Sequence, residues 1–151
     1  MANVPRPIKT INHMNIKTAY YLLFYKLYCF FKAAWEDSWS DWKSLIAINT
    51  LEILLITGLC VWLEVIFKVS VDLSANPYAF VIPIAVIIVV SNYFIFLQKN
   101  KWKSYAEKFK NYSKAKKQLA SWTVFVFVLA ILANVILAFY AMSQIDWAKY
   151  R

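Results

Sequence analysis

The chain has 151 residues, of which 62% are hydrophobic and 19% aromatic, and its formal net charge is +9. The apolar share exceeds the roughly 45–50% of a typical globular protein. Apolar residues also form continuous runs, whereas a soluble helix would carry them as one stripe. Composition therefore excludes an ordinary soluble domain and predicts an all-α integral membrane protein.

After an N-terminal tail (residues 1–15), a helix is predicted over residues 16–35, which contain the aromatic stretch "AYYLLFYKLYCFFKAAW". Lys26 lies in the middle of that stretch, and Lys32 follows it. A central lysine disfavours membrane insertion by about 3 kcal/mol, and tyrosines prefer the headgroup level. We expect a helix that lies in the membrane interface; a fourth transmembrane helix is the alternative.

The link over residues 36–44 combines the carboxylates of Glu36, Asp37 and Asp41 with tryptophans. Three carboxylates this close could hold Mg²⁺ for chemistry on lipid headgroups. No second acidic motif follows, so we favour a structural interpretation in which Ser40 or Asp41 caps the next helix and the tryptophans form an aromatic belt. We therefore predict no metal site and no cofactor.

Three apolar segments follow: span A (residues 45–67), span B (residues 78–97) and span C (residues 122–142). At about 1.5 Å per residue, each is long enough to cross a hydrocarbon core of roughly 30 Å. The fold expected is three transmembrane helices plus the N-terminal interfacial helix. Residues 68–77 would form an external loop and residues 143–151 a C-terminal tail.

Residues 98–121, between spans B and C, are predicted to form a basic cytoplasmic helical hairpin. With this hairpin inside, three spans place 14 of the 17 basic residues on the inner side, as the positive-inside rule prefers. We expect the hairpin lysines to face anionic headgroups or a partner. Nucleic-acid binding is disfavoured because the hairpin is short and tethered at both ends. The lysines are Lys99, Lys101, Lys103, Lys108, Lys110, Lys114, Lys116 and Lys117.

Glu52 is the main candidate for a functional residue, because it lies seven residues after the start of span A, about 10 Å deep. Intramembrane acids usually face a bundle interior, a cavity or a partner. Asn49 lies on the same helical face, and Lys26 and Lys32 are candidate counter-charges. A structural interpretation, in which Glu52 is paired, protonated or extended towards the headgroups, weighs equally.

Small residues in span C, with Asn134 among them, predict a helix-packing face. Small side chains at four-residue spacing let helices approach closely, and an asparagine there can bond across helices. We expect packing within one chain more than a contact between subunits. The predicted packing residues are Ala130, Ala133, Ala138 and Ala141.

Catalytic signatures are absent from the sequence. His13 is the only histidine and Gly58 the only glycine, so a glycine-rich phosphate loop cannot be built. Cys29 and Cys60 are expected to be buried free thiols. We predict that the protein is not an enzyme.

From "LLFYKLYCFFKAAW" through the three spans and the lysine-rich hairpin, the layout resembles small uncharacterised bacterial multi-pass membrane proteins with an aromatic, Lys-dotted N-terminal helix. The resemblance implies a bacterial inner membrane protein and brings no active-site residues. The leading hypothesis is assembly with itself or another membrane protein. The alternatives are a small oligomeric ion channel, pore or membrane effector, and a metal-dependent lipid-modifying enzyme.

Overall fold

The structure is a computed structural model that describes residues 15–35, 39–68 and 78–146. Every regular element in these ranges is helical, which confirms the predicted all-α class. The helices are α1 (Ile16–Trp35), α2 (Ser40–Phe67), α3 (Tyr78–Asn92), α4 (Lys101–Lys110) and α5 (Lys114–Ser143). Between α3 and α4 lie a π-helical turn (Tyr93–Leu97) and a 3₁₀ turn (Gln98–Asn100).

Three helical runs among the described residues are long and apolar enough to cross a membrane: Ser40–Phe67, Val81–Lys110 and Lys114–Ser143. The first and third contain the predicted spans A and C, and the second covers residues 81–97 of the predicted span B. Helix α1 is not among them. The chain therefore has the composition and the helix lengths of a multi-pass membrane protein.

Helix α2 begins at Ser40, five residues before span A, and the capping prediction is wrong. Trp39 occupies the N-cap position, so Ser40 and Asp41 are already inside the first turn. The Asp41 carboxylate accepts the neighbouring Trp42 backbone N–H at 3.0 Å. Ser40 is buried, and its carbonyl accepts the Ser44 hydroxyl. Glu36 and Asp37, the other members of the predicted acidic group, lie outside the described residues.

The helical run that contains span B is not continuous. The π-helical turn follows Asn92, and Lys99 and Asn100 then adopt φ values of 58° and 50°. Positive φ is uncommon for residues other than glycine, although asparagine adopts it more readily than lysine does. These two residues redirect the chain, so that α4 folds back onto α1 instead of extending the axis of α3.

The hydrophobic core lies where α1, α4, the π-helical turn and the first turns of α2 and α5 meet. Phe96 of the π-helical turn is fully buried and stacks on Phe24 of α1, with ring centroids 4.3 Å apart. Tyr21 of α1 stacks on Tyr105 of α4 at 4.0 Å. The aromatic residues of α1 and α4 thus hold these two helices together at one end of the candidate spans.

Away from this core, the candidate spans pack sparsely. Helix α2 contacts both α3 and α5, but only 11% of the most apolar stretch of each candidate span is buried. Cys29 and Cys60 are both exposed, so the prediction of buried thiols is wrong. Both lie on apolar helix surfaces, which in a membrane would face lipid or another protein.

Candidate functional site

Four polar side chains from three helices meet in one cluster, which we call the polar cluster: Tyr20 of α1, Asn49 and Glu52 of α2, and Asn92 of α3. Asn92 is 1% exposed and Asn49 is 7% exposed, whereas Tyr20 and Glu52 are half-buried. In an otherwise apolar region, buried polar groups require hydrogen-bond partners. The polar cluster supplies them internally.

Asn92 is the centre of the polar cluster. Its side-chain nitrogen, Nδ2, lies 2.8 Å from Oδ1 of Asn49 and 2.7 Å from Oε2 of Glu52. The Tyr20 hydroxyl contacts Oδ1 of Asn92 at 2.5 Å and also contacts Oε1 of Glu52. Both oxygens of the Glu52 carboxyl group are therefore engaged, and the contacts link α1, α2 and α3.

The local sequence explains this placement. Asn49 and Glu52 are three residues apart, so they share one face of α2. Asn92 is the last residue of α3, directly before the π-helical turn, and single π-helical turns in longer helices often accompany functional sites. Tyr20 lies in the first turns of α1, where the neighbouring Tyr21 hydroxyl donates to the Ile95 carbonyl of the π-helical turn at 3.0 Å.

Asn49 and Glu52 share the polar cluster, but the candidate counter-charges lie elsewhere. Lys26 donates to the Lys117 carbonyl at 3.2 Å and to the Ser121 hydroxyl at 2.8 Å. The Lys32 ammonium group lies 5.8 Å from the centre of the Tyr28 ring. The reason is axial position: Lys26 is six residues beyond Tyr20, about 9 Å further along α1.

Two members of the polar cluster, Tyr20 and Asn92, were not singled out from the sequence. Asn92 had a signal, because it is an amide inside the uncharged run of span B, and polar residues at such depth usually have partners. No sequence signal distinguishes Tyr20 from the neighbouring tyrosines, all of which are expected at the membrane interface. In the described part of the chain, no group of His, Cys, Asp and Glu is arranged to hold a metal ion.

A second polar contact joins α2 and α5. The indole N–H of Trp62 donates to Oδ1 of Asn134 at 3.1 Å, while Nδ2 of Asn134 is buried without a hydrogen-bond partner. That nitrogen lies against Gly58, at 2.3 Å from where a Cβ atom would stand. The only glycine in the sequence thus lets α5 approach α2 at Asn134.

The predicted packing residues of span C divide between two faces. Ala138 is fully buried and Ala141 is half-buried, whereas Ala130 and Ala133 are exposed. The buried residues next to Asn134 on this face are Ile131 and Ala138. The packed face therefore has spacings of three and then four residues, and it does not follow the predicted four-residue spacing of Ala130, Asn134 and Ala138. Ala130 and Ala133 point away from the packed face of α5.

The eight lysines of the predicted hairpin are all exposed. Trp102 and Phe109 of α4 are buried instead, because the aromatic face of α4 packs on α1. Two ammonium groups lie over tyrosine rings: Lys108 is 5.3 Å from the centre of the Tyr105 ring, and Lys116 is 5.9 Å from that of Tyr112. The lysines of α4 and the start of α5 form a basic surface outside the aromatic core.

No protein-family model matches the chain, and neither the curated proteins nor the solved structures give a match.

Proposed function

We propose that the protein is a non-enzymatic, multi-pass protein of the bacterial inner membrane that acts by assembling with itself or with another membrane protein. Three helices cross the bilayer, α1 lies at the inner interface, and the basic surface of α4 and α5 contacts anionic lipid or a partner. Nucleic acid is not a partner. The Lys-dotted aromatic helix and three-span layout support the bacterial assignment by resemblance.

The observation that carries the proposal is the bare surface of α3. Residues 81–91 contain no buried side chain, and Ile82 and Ile87 are 55% and 64% exposed. Among residues 81–92, only Asn92 is buried, where it enters the polar cluster. Because transmembrane helices gain stability by packing against other helices, we expect a partner helix to cover α3.

The position of α1 supports the interfacial assignment. Its contacts run from the polar cluster through Phe96 and Trp102 to Lys117 and Ser121. Lys117 and Ser121 lie at the start of α5, at the end of the candidate spans that also carries the basic surface. A helix packed at that end, with Lys26 held by polar groups, fits the inner interface better than a fourth crossing.

Site-directed crosslinking tests the assembly. In a Cys29→Ser, Cys60→Ser background, Ile87→Cys places a thiol on the bare face of α3. The matched control is Ile136→Cys, which is equally exposed in the single chain (68%) but lies on α5, a helix that already packs on α2.

We expect thiol crosslinking in native membranes to join Ile87→Cys chains, to each other or to a second membrane protein, more than Ile136→Cys chains. The proposal would be contradicted if both variants stay uncrosslinked and if lipid discs formed directly from membranes contain the mass of only one chain.

A further inference from the structure

If Glu52 is ionised, the polar cluster has more hydrogen-bond contacts than it has N–H and O–H hydrogens to fill them. Asn92 supplies two hydrogens from Nδ2, and these serve Asn49 and Glu52. The Tyr20 hydroxyl supplies one hydrogen, yet its oxygen contacts both Oδ1 of Asn92 and Oε1 of Glu52. Neither of those two oxygens carries a hydrogen when the carboxyl group is ionised, so one contact lacks a hydrogen.

Reversing the amide orientations does not remove the deficit. Oxygen and nitrogen of an asparagine side chain are assigned from their surroundings, so Asn92 can be turned to donate to Tyr20, with Asn49 turned to donate to Asn92. The Asn92 oxygen then lies 2.7 Å from Oε2 of Glu52. That pair of oxygens again needs a hydrogen, and only Glu52 can hold it.

We propose that Glu52 is a proton-binding site and that its carboxyl group holds one proton at neutral pH. In the orientation given by the structure, the acid donates to the Tyr20 oxygen, Tyr20 donates to Asn92, and Asn92 donates back to the other carboxyl oxygen. Every contact then has one hydrogen. In the reversed orientation the acid donates to Asn92 directly.

The surroundings of Glu52 favour a neutral acid. The groups brought to it by the described residues are the Tyr20 hydroxyl from α1 and the Asn92 amide from α3, and neither is charged. An ionised carboxylate is costly among apolar spans, and a bound proton removes that charge.

Infrared spectroscopy of the purified full chain in lipid at neutral pH tests the proposal. The wild type should show the carbonyl band of a protonated carboxylic acid, and Glu52→Gln should lose that band. Glu64→Gln is the matched control, because it removes another carboxyl group from the same helix and should leave the band unchanged. Tyr20→Phe should shift the band to higher frequency, since in either orientation the Glu52 carboxyl group loses its hydrogen bond with the Tyr20 hydroxyl.

Stability gives an independent readout. Glutamine resembles a protonated glutamic acid, with an N–H group for Tyr20 and a carbonyl for Asn92, so Glu52→Gln should keep the wild-type melting temperature. A spectrum in which Glu52→Gln removes no acid band would overturn the proposal, and so would a Glu52→Gln protein that does not fold. The site does not depend on assembly, because all its groups come from one chain.

Discussion

At the scale of single residues, the contact between Gly58 and Asn134 determines how closely α2 and α5 approach. A Cβ atom at residue 58 would stand 2.3 Å from Nδ2 of Asn134. The Asn134 amide cannot rotate away freely, because its oxygen accepts the Trp62 N–H. The glycine therefore leaves space that this hydrogen-bonded amide occupies.

Gly58→Ala should lower stability by about 1–3 kcal/mol, the usual cost of overpacking, although alanine is intrinsically the better helix former by about 1 kcal/mol. The sign should reverse in an Asn134→Ala background, where the space is vacant and only helix propensity remains. Reversible unfolding in detergent measures both differences. Equal effects of Gly58→Ala in the two backgrounds would contradict this contact.

The residues of the polar cluster differ in how far the sequence predicts them. Asn49 and Glu52 are neighbours through helical spacing alone, so a local pattern finds them. The approach of Asn92 and Tyr20 depends on how α1 and α3 pack against α2, which no local pattern determines. Lys26 and Lys32 were assigned by charge complementarity, but their axial positions on α1 place them elsewhere.

At the scale of elements, the segment between α3 and α4 has an unusual backbone. A π-helical turn brings Phe96 into the aromatic core, and two residues with positive φ then redirect the chain. Lysine at positive φ costs roughly 1–2 kcal/mol because its Cβ atom crowds the following carbonyl. The packing of α4 on α1 offsets this cost.

Lys99→Gly should therefore stabilise the fold by up to about 1 kcal/mol, because relief of the backbone strain exceeds the added freedom of the unfolded chain. Lys103→Gly, inside α4, should destabilise it by about 1 kcal/mol. Both variants remove one exposed lysine, so charge is matched. Chemical denaturation of the two variants compares them, and destabilisation by Lys99→Gly would show that the turn has another backbone conformation.

The three candidate spans were predictable because each is a continuous apolar run long enough to cross a bilayer. The early start of α2 and the break after Asn92 were not. Four of residues 40–44 are polar or charged, so hydropathy does not extend the span. The π-helical turn packs against α1, and no local pattern predicts that contact. The burial of the aromatic face of α4 depends on packing against α1, which hydropathy alone does not predict.

At the scale of the whole molecule, charge and aromatic packing occur at the same end. Helix α1, helix α4 and the start of α5 gather there, with the exposed lysines around their aromatic core. Each lysine near an anionic surface contributes about 1 kcal/mol of attraction. This end should therefore lie in the cytoplasm, and the opposite ends of α2 and α5 should face outwards.

The most direct test of this account is the accessibility of single cysteines in intact cells to a membrane-impermeant thiol reagent. The reporters replace Asn3, Ser74, Ser104 and Ser143 in a Cys29→Ser, Cys60→Ser background, which is needed because both native thiols are exposed. The account predicts labelling at residues 74 and 143 but not at residues 3 and 104. Labelling at residue 104 would place the basic surface outside and contradict it, and labelling at residue 3 would mean that α1 crosses the membrane.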